Sequence, residues 1–327
     1  MSLLTIKTNH AAAAAAVAGA LFAAAPTAAQ SVGIGSTKGG ATAQVTAGIS
    51  KVVSAHSGMQ MRPQPMGGTQ QYIPLVNAGE LEFGVSNAMQ AYMAFTGTGL
   101  AKGKNYPNLR VVATLMTFRV GMFTAKKSGI KSIAGLKGKR VPGKFSASPL
   151  FRFLVSANLA NAGISYDDVK MVPQTALRQH WQAFAQGKID VAIGAIGSGV
   201  IKKMDAAVGG IEFLDMSTSD AALARTLKFA PRTYIKVVKP GKPFVGITKP
   251  TNAIHFDYLL WAHKGVSDKV VIAVTKALHD HEKELHGFSP LWRSHRSKRM
   301  GKSFGREMPY HPGAIAYYKK IGIWPAK

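Results

Sequence analysis

The chain has 327 residues, of which 46% are hydrophobic, and its mean hydropathy is +0.04. This balance is typical of a folded protein with a large core or two lobes, and it disfavours disorder over most of the length. The sequence contains no cysteine. That absence excludes disulfides, thiolate nucleophiles, iron–sulfur clusters, Cys-ligated zinc and a lipidated cysteine.

The charge is strongly basic, because 41 Lys and Arg against 15 Asp and Glu give a net charge of +26. Such a charge favours anionic partners, although net charge determines solubility and steering and does not define a site. The densest basic cluster consists of Arg293, Arg296, Lys298, Arg299, Lys302 and Arg306. It contains one Phe and no interleaved aromatic platform for bases, so we interpret it as a solvated surface and do not favour nucleic-acid binding.

The first 30 residues differ from the rest. Lys7 precedes an apolar run at 11–25, and small residues follow at 26–29. This pattern predicts a secretory signal peptide over residues 1–30 and a periplasmic location. No later stretch has ~18 consecutive apolar residues, so we expect the mature chain not to span a membrane.

Strand and helix patterns alternate through the remaining chain. A strand at 31–35 leads through the turn GSTKGG into a helix at 41–53. Apolar stretches at 109–115 and 119–124 are predicted to be separate strands on which the chain crosses between lobes. The other predicted strands are 82–85, 140–141, 169–172, 191–196, 211–214 and 234–238, and the other predicted helices are 70–78, 150–162, 176–186 and 268–285. This alternation predicts an α/β protein with mostly parallel sheets.

Three polar turns follow predicted strands, at 36–42, 144–148 and 197–199. Ligands of open α/β sheets bind at such strand ends, where helix N-termini offer unpaired N–H groups to a carboxylate or phosphate. A single Gly-Ser turn commonly only reverses the chain, but recurrence at successive strand ends favours a site. Neither nucleotide-binding glycine pattern is present, so nucleotide binding is weakly supported.

Catalytic and metal alternatives have less support. Asp167 and Asp168 fit a helix N-terminus, where acids are favoured electrostatically. His279, Glu282 and His286 share one helical face that could hold a metal, yet an exposed polar face is the simpler interpretation. We therefore predict no catalytic residues, no metal and no cofactor.

Four segments in a fixed order resemble one protein family. They are GELEFGVSNA at 79–88, SGIKSIAGLKGKRV at 128–141, QGKIDVAIGA at 186–195 and HPGAIAYYKKIGI at 311–323. Together they are similar to the blocks of TAXI-family substrate-binding proteins of TRAP transporters, and the resemblance covers nearly all of the mature chain.

The resemblance implies a bilobed periplasmic-binding-protein fold of type II, with two mostly parallel sheets, flanking helices and a ligand cleft at the hinge. One lobe would comprise 31–118 plus 240–327, and the other 119–239. The implied role is that of a monomeric receptor without turnover. It would capture a small organic anion, a carboxylate or amino acid, by lobe closure and deliver it to TRAP membrane permease subunits.

The predicted ligand residues are mainly hydrogen-bond donors at the strand ends. The donors are Ser36, Thr37, Gly40, Thr42, Ser86, Asn87, Ser146, Ser148 and Ser198. Phe118 and Phe145 are predicted walls, and Arg119 is the predicted partner of a carboxylate. The chain departs from the family at 42–43, where tyrosines are common, and at 145–148, where a G-S-G-T turn is common, so a glutamate-like ligand is not implied.

Two rival functions stay open. A secreted hydrolase or transferase on a similar scaffold could use Ser198 or His180, although no nucleophile, base and orienting group stand together in the sequence. A basic binder of polyanions would show affinity that collapses in salt, whereas a buried solute site would lose much less.

Overall fold

The computed structural model describes residues 30–326. The predicted signal peptide lies outside this range apart from Gln30, the first residue of the first strand. None of the helices within 30–326 combines the length and apolar character needed to cross a bilayer.

The described chain contains ten strands and ten α-helices, in addition to short 3₁₀ turns. The first part comprises β1 (Gln30–Thr37), α1 (Gly40–His56), β2 (Met59–Met66), α2 (Thr69–Ala78), β3 (Phe83–Asn87), α3 (Ala88–Thr96) and β4 (Leu109–Ala125). The middle part comprises β5 (Arg140–Lys144), α4 (Leu150–Asn161), β6 (Lys170–Gln174), α5 (Leu177–Ala185), β7 (Ala192–Ala195), α6 (Gly199–Val208), β8 (Ile211–Phe213), α7 (Asp220–Phe229) and β9 (Tyr234–Val238). The last part comprises β10 (Thr251–His263), α8 (Asp268–Asp280), α9 (Glu282–Phe288) and α10 (Pro312–Lys320).

Eight strands form one mixed sheet in the order β2-β1-β3-β10-β4-β7, with β8 paired to β4 and β9 paired to β10. β1 runs parallel to β2 and β3, whereas every pairing of β4 and β10 is antiparallel. β5 and β6 form a separate parallel pair. The predicted α/β architecture is confirmed. The prediction of mostly parallel sheets is wrong for the large sheet, because β4 and β10 pair antiparallel with each other and with the strands beside them.

β4 and β10 are unusually long strands of 17 and 13 residues. The prediction of two separate strands at 109–115 and 119–124 is wrong, because β4 continues through 116–118. Met116 and Phe118 are buried, and strand pairing with β10 holds this segment extended. The predicted lobe boundary at residue 118 falls inside β4. The predicted lobe boundary at residue 240 lies well before the start of β10. The division into two lobes stays a prediction.

The predicted helix over 268–285 is two helices. Val270, Val271, Val274 and Leu278 of α8 are buried as the apolar spacing predicts. The helix ends at His281, whose φ of −110° and ψ of 36° are not helical. This break changes the direction in which the following residues project.

Substitution of Gly84 tests how closely β3 and β10 pack. Gly84 lies opposite Trp261 in the strand register, and a Cβ at this position would overlap the buried indole ring. We expect Gly84→Ala to lower the free energy of unfolding by about 1–3 kcal/mol through overpacking. Urea denaturation measures the change.

The matched control is Gly287→Ala in α9, where a Cβ meets open space. We expect this change to raise stability by about 0.5–1 kcal/mol, because alanine loses less backbone entropy in a helix. Equal stability of Gly84→Ala and the wild type would contradict the packing described here.

Candidate ligand site at the strand ends

The ends of β1 and β3 lie side by side, because the two strands are parallel neighbours. Thr37 and Asn87 therefore end at the same edge of the sheet, as the sequence predicts for a strand-end site. β10 runs antiparallel beside β3 and pairs Tyr258 with Asn87. Tyr258 thereby joins this edge from a distant part of the chain.

Three of the predicted donors at this edge are buried and bonded within the protein. Ser36 Oγ lies 2.6 Å from Thr46 Oγ1. Ser86 Oγ accepts a 3.0 Å hydrogen bond from Trp261 Nε1. Asn87 caps α3, because its Oδ1 accepts from the Gln90 N–H at 2.8 Å. These side chains shape the edge, and their direct contact with a ligand stays a prediction.

The start of α1 is more open. Gly39 and Gly40 are exposed, and no side chain in the part of the chain that the structure describes caps the helix. Its first N–H groups are therefore available to an anion, and the helix dipole favours negative charge there. Thr37 Oγ1 donates to Gly39 O at 2.8 Å, and Thr42 Oγ1 lies 3.4 Å from the Tyr258 hydroxyl.

An aromatic cluster lies where the paired strands β4 and β10 pass the edge formed by the ends of β1 and β3. The ring centroid of Phe118 is 4.6 Å from that of Tyr258 and 6.0 Å from that of Phe256. Sequence reasoning found only Phe118, because no local pattern marks Phe256 or Tyr258 as a neighbour of the strand ends. The antiparallel register that pairs Phe256 with Phe118 brings them together.

Arg119 points away from Phe118, since successive strand side chains project to opposite faces. Its guanidinium carbon lies 5.4 Å from the centroid of the Phe244 ring. The side chain is half-buried and makes no hydrogen bond or ion pair with another residue in 30–326. Burial lowers the pKa of Arg119. A desolvated cation without a carboxylate partner is suited to binding an anionic ligand.

The turn after β7 lies next to Arg119. Ile196 N–H donates to the Arg119 carbonyl at 2.9 Å. Ser198 then begins α6, and its Oγ is buried with no hydrogen-bond partner in the described structure. Gly197 has a φ of 86° and approaches the Phe244 ring. Ser198 and Arg119 thus belong to one neighbourhood.

The turn after β5 is mixed in character. Phe145 is fully buried, 5.4 Å from the His180 ring, so it packs in the core and does not form an open wall. Ser146 is exposed and Ser148 half-buried. Lys144 and Phe145 both have positive φ, of 60° and 53°, and this tight backbone presents the two serines. No hydrogen bond in the described part of the chain joins this turn to Thr37 or Thr42.

Within residues 30–326, His180 is not placed as a base for Ser198, as the catalytic alternative would require. His180 is fully buried and its Nε2 lies 3.0 Å from the Ile193 carbonyl oxygen. No imidazole within residues 30–326 is hydrogen-bonded to Ser198 Oγ. Proton transfer from Ser198 would need such a neighbour.

The C-terminal basic cluster is partly engaged in the fold. Asp257 is buried, and its carboxylate oxygens lie 2.6 Å from Lys302 Nζ and 3.6 Å from an Arg299 nitrogen. Thr117 Oγ1 donates to the same carboxylate at 2.7 Å. For Lys302 and Arg299 the prediction of a merely solvated surface is therefore wrong. These contacts join the C-terminal segment to β10 and β4 at the position where Asp257 and Thr117 pair.

Acid should destabilise the protein through three buried histidines. Burial lowers the pKa of His180, His255 and His295 to about 4, against 6.5 for a free imidazole. Between these values the unfolded chain binds more protons than the folded chain, so stability present above pH 6.5 is lost as the pH falls towards 4. Each histidine contributes a slope of at most about 1.4 kcal/mol per pH unit.

Urea unfolding at pH 7 and pH 5 measures this dependence. We expect His180→Gln to reduce the slope, whatever its effect on stability at pH 7. An identical slope for His180→Gln and the wild type would show that His180 does not drive acid unfolding.

The chain thus has an α/β fold with a mixed sheet, flanking helices and polar turns at its strand ends. The model of the NMT1-like family matches residues 34–322, and the chain belongs to this family.

Two solved structures illustrate the shared fold. PhnD1 from Prochlorococcus marinus, in complex with methylphosphonate, is 11% identical with a TM-score of 0.54, covering 90% of this chain and 99% of that one. MatC from Rhodopseudomonas palustris, with bound malate, is 14% identical with a TM-score of 0.52, covering 90% and 98%. At these identities the similarity shows the fold.

Proposed function

We propose that the protein is an extracytoplasmic solute receptor. It binds a small organic anion where the ends of β1 and β3 meet the long strands β4 and β10. The observation that carries this proposal is Arg119, a half-buried guanidinium with no acidic partner within residues 30–326. Leaving such a cation unpaired costs free energy that an anionic ligand would recover.

The neighbouring groups support the same chemistry. The uncapped start of α1, the unpartnered Ser198 hydroxyl and the exposed Ser146 all offer donors to carboxylate oxygens. Phe118 and Tyr258 supply apolar surface at the edge that includes Thr42. A solute that contacts groups on both sides of β4 and β10 would favour a closed arrangement of the two predicted lobes. The open arrangement lacks part of these contacts.

We further propose that the receptor is a monomeric periplasmic protein that delivers its solute to TRAP membrane permease subunits. The four TAXI-like sequence blocks support this assignment. The ligands of the two structures of similar fold, malate and methylphosphonate, are both small anions. A carboxylate is our first choice, and a phosphonate is the alternative to be tested beside it.

A thermal-shift screen of the purified protein tests the proposal. Organic carboxylates, amino acids and phosphonates are compared at about 50 and about 300 mM salt. We expect one class of small anion to raise the melting temperature at both salt concentrations, because a ligand bound only by the folded state stabilises it. Shifts confined to polyanions and abolished by salt would favour a charged-surface binder, and turnover of a bound compound would favour an enzyme.

A further inference from the structure

Two histidines and a glutamate come together far from the strand ends, on the surface between α1 and α9. His56 lies in the last turn of α1, and His281 and Glu284 lie at the start of α9. His56 Nε2 is 2.7 Å from Glu284 Oε2. The imidazole rings of His56 and His281 are stacked, with centroids 3.5 Å apart and planes at 8°.

We propose that His56, His281 and Glu284 form a binding site for a divalent transition-metal ion such as Zn²⁺. One ligand atom from each residue lies within 4.8 Å of the other two. Ligands of a tetrahedral zinc ion at roughly 2.1 Å stand about 3.4 Å apart, so binding requires the three atoms to move closer and the stacked imidazole rings to turn until both in-plane lone pairs point at the ion. Water would take the fourth position.

The chemistry of the three groups selects the ion. Two imidazole nitrogens and one carboxylate oxygen suit Zn²⁺, whereas Ca²⁺ and Mg²⁺ prefer sites made only of oxygen. The protein's net charge of +26 also disfavours cations held by charge alone. The affinity of an ion coordinated by imidazole nitrogens depends less on the net charge of the protein than the affinity of an ion held only by electrostatic attraction.

The three residues of the site differ from the set that the helical pattern predicts. On an unbroken helix, His279, Glu282 and His286 would share a face. In the structure, His279 contacts Asp280, whereas His286 lies 3.6 Å from Glu282 and faces the His295 carbonyl. His281 and Glu284, which are neighbours at i,i+3 at the start of α9, both contact His56.

Isothermal titration of the chelator-treated protein with Zn²⁺ tests the site. We expect one ion per chain, and we expect His281→Ala and Glu284→Gln each to weaken binding at least ~10-fold, since each removes one of three ligands. His279→Ala, two residues from the site, should bind as the wild type does. Visible absorption of bound Co²⁺ should show a tetrahedral spectrum that His281→Ala loses.

Two results would overturn the proposal. One is the absence of stoichiometric Zn²⁺ binding by the wild-type protein. The other is equal affinity of the wild type and His281→Ala, which would place the ion elsewhere. Circular dichroism of each variant checks that the fold is retained, and Glu284→Gln, which preserves side-chain shape, keeps the test valid if one histidine variant fails to fold.

Discussion

Replacing Asp257 by alanine is expected to destabilise the protein by about 3–5 kcal/mol. The carboxylate is buried and accepts hydrogen bonds from Lys302 Nζ and Thr117 Oγ1, with Arg299 nearby. Its removal leaves two cations and a hydroxyl without their shared acceptor. It also removes the contact that joins the C-terminal segment to the paired strands β4 and β10. Urea denaturation at pH 7 measures the loss.

An exposed ion pair provides the control. Lys131 Nζ lies 3.1 Å from Glu212 Oε2, with the lysine side chain 66% exposed. We expect Glu212→Gln to change stability by less than ~1 kcal/mol, because solvent screens such pairs. If Asp257→Ala were as mild as Glu212→Gln, the buried carboxylate would contribute no more than a surface pair.

The second large effect is expected at Arg119. For the anion identified by the ligand screen, we expect Arg119→Ala to weaken binding by roughly 10–100-fold, the loss of a charge-assisted hydrogen bond worth about 1.5–3 kcal/mol. The free energy of unfolding should fall by no more than ~1 kcal/mol, because the side chain's main protein contact is the Phe244 ring. Calorimetric titration of the anion measures the affinity.

Arg110 is the matched control for this experiment. It lies on the same strand, near the opposite end, where its guanidinium donates to the carbonyls of Pro107 and Leu109. Arg110→Ala should leave affinity unchanged, which separates a local contact from a general effect of net charge. Unchanged affinity in Arg119→Ala would remove Arg119 from the site and with it the main support for an anionic solute.

Local patterns predicted most of the secondary structure. The helix predicted at 41–53 is α1 (Gly40–His56), and the strand predicted at 234–238 is β9. In such segments the apolar spacing of the element and the glycines and polar residues at its ends act over a few residues. The α/β class follows from their alternation, as does the presence of polar turns at strand ends.

Local patterns failed where distant residues decide the conformation. The segment 116–118 reads as a break between two apolar stretches, yet pairing with β10 extends it. The helix predicted over 268–285 ends at His281, although its apolar spacing suggests continuation. In both places long-range packing outweighs local preference, whose contribution is about 1 kcal/mol per residue or less.

The sequence by itself determined the fold class, many of the helices and strands and the residue types at the strand ends, because these depend on periodicity and turn chemistry within short windows. Only the tertiary structure decided which side chains meet. It brought Tyr258 to Thr42, left Arg119 without an acidic partner among residues 30–326, and placed Lys302 beside Asp257. Such contacts join residues far apart in the chain, and they depend on strand register, which no local pattern encodes.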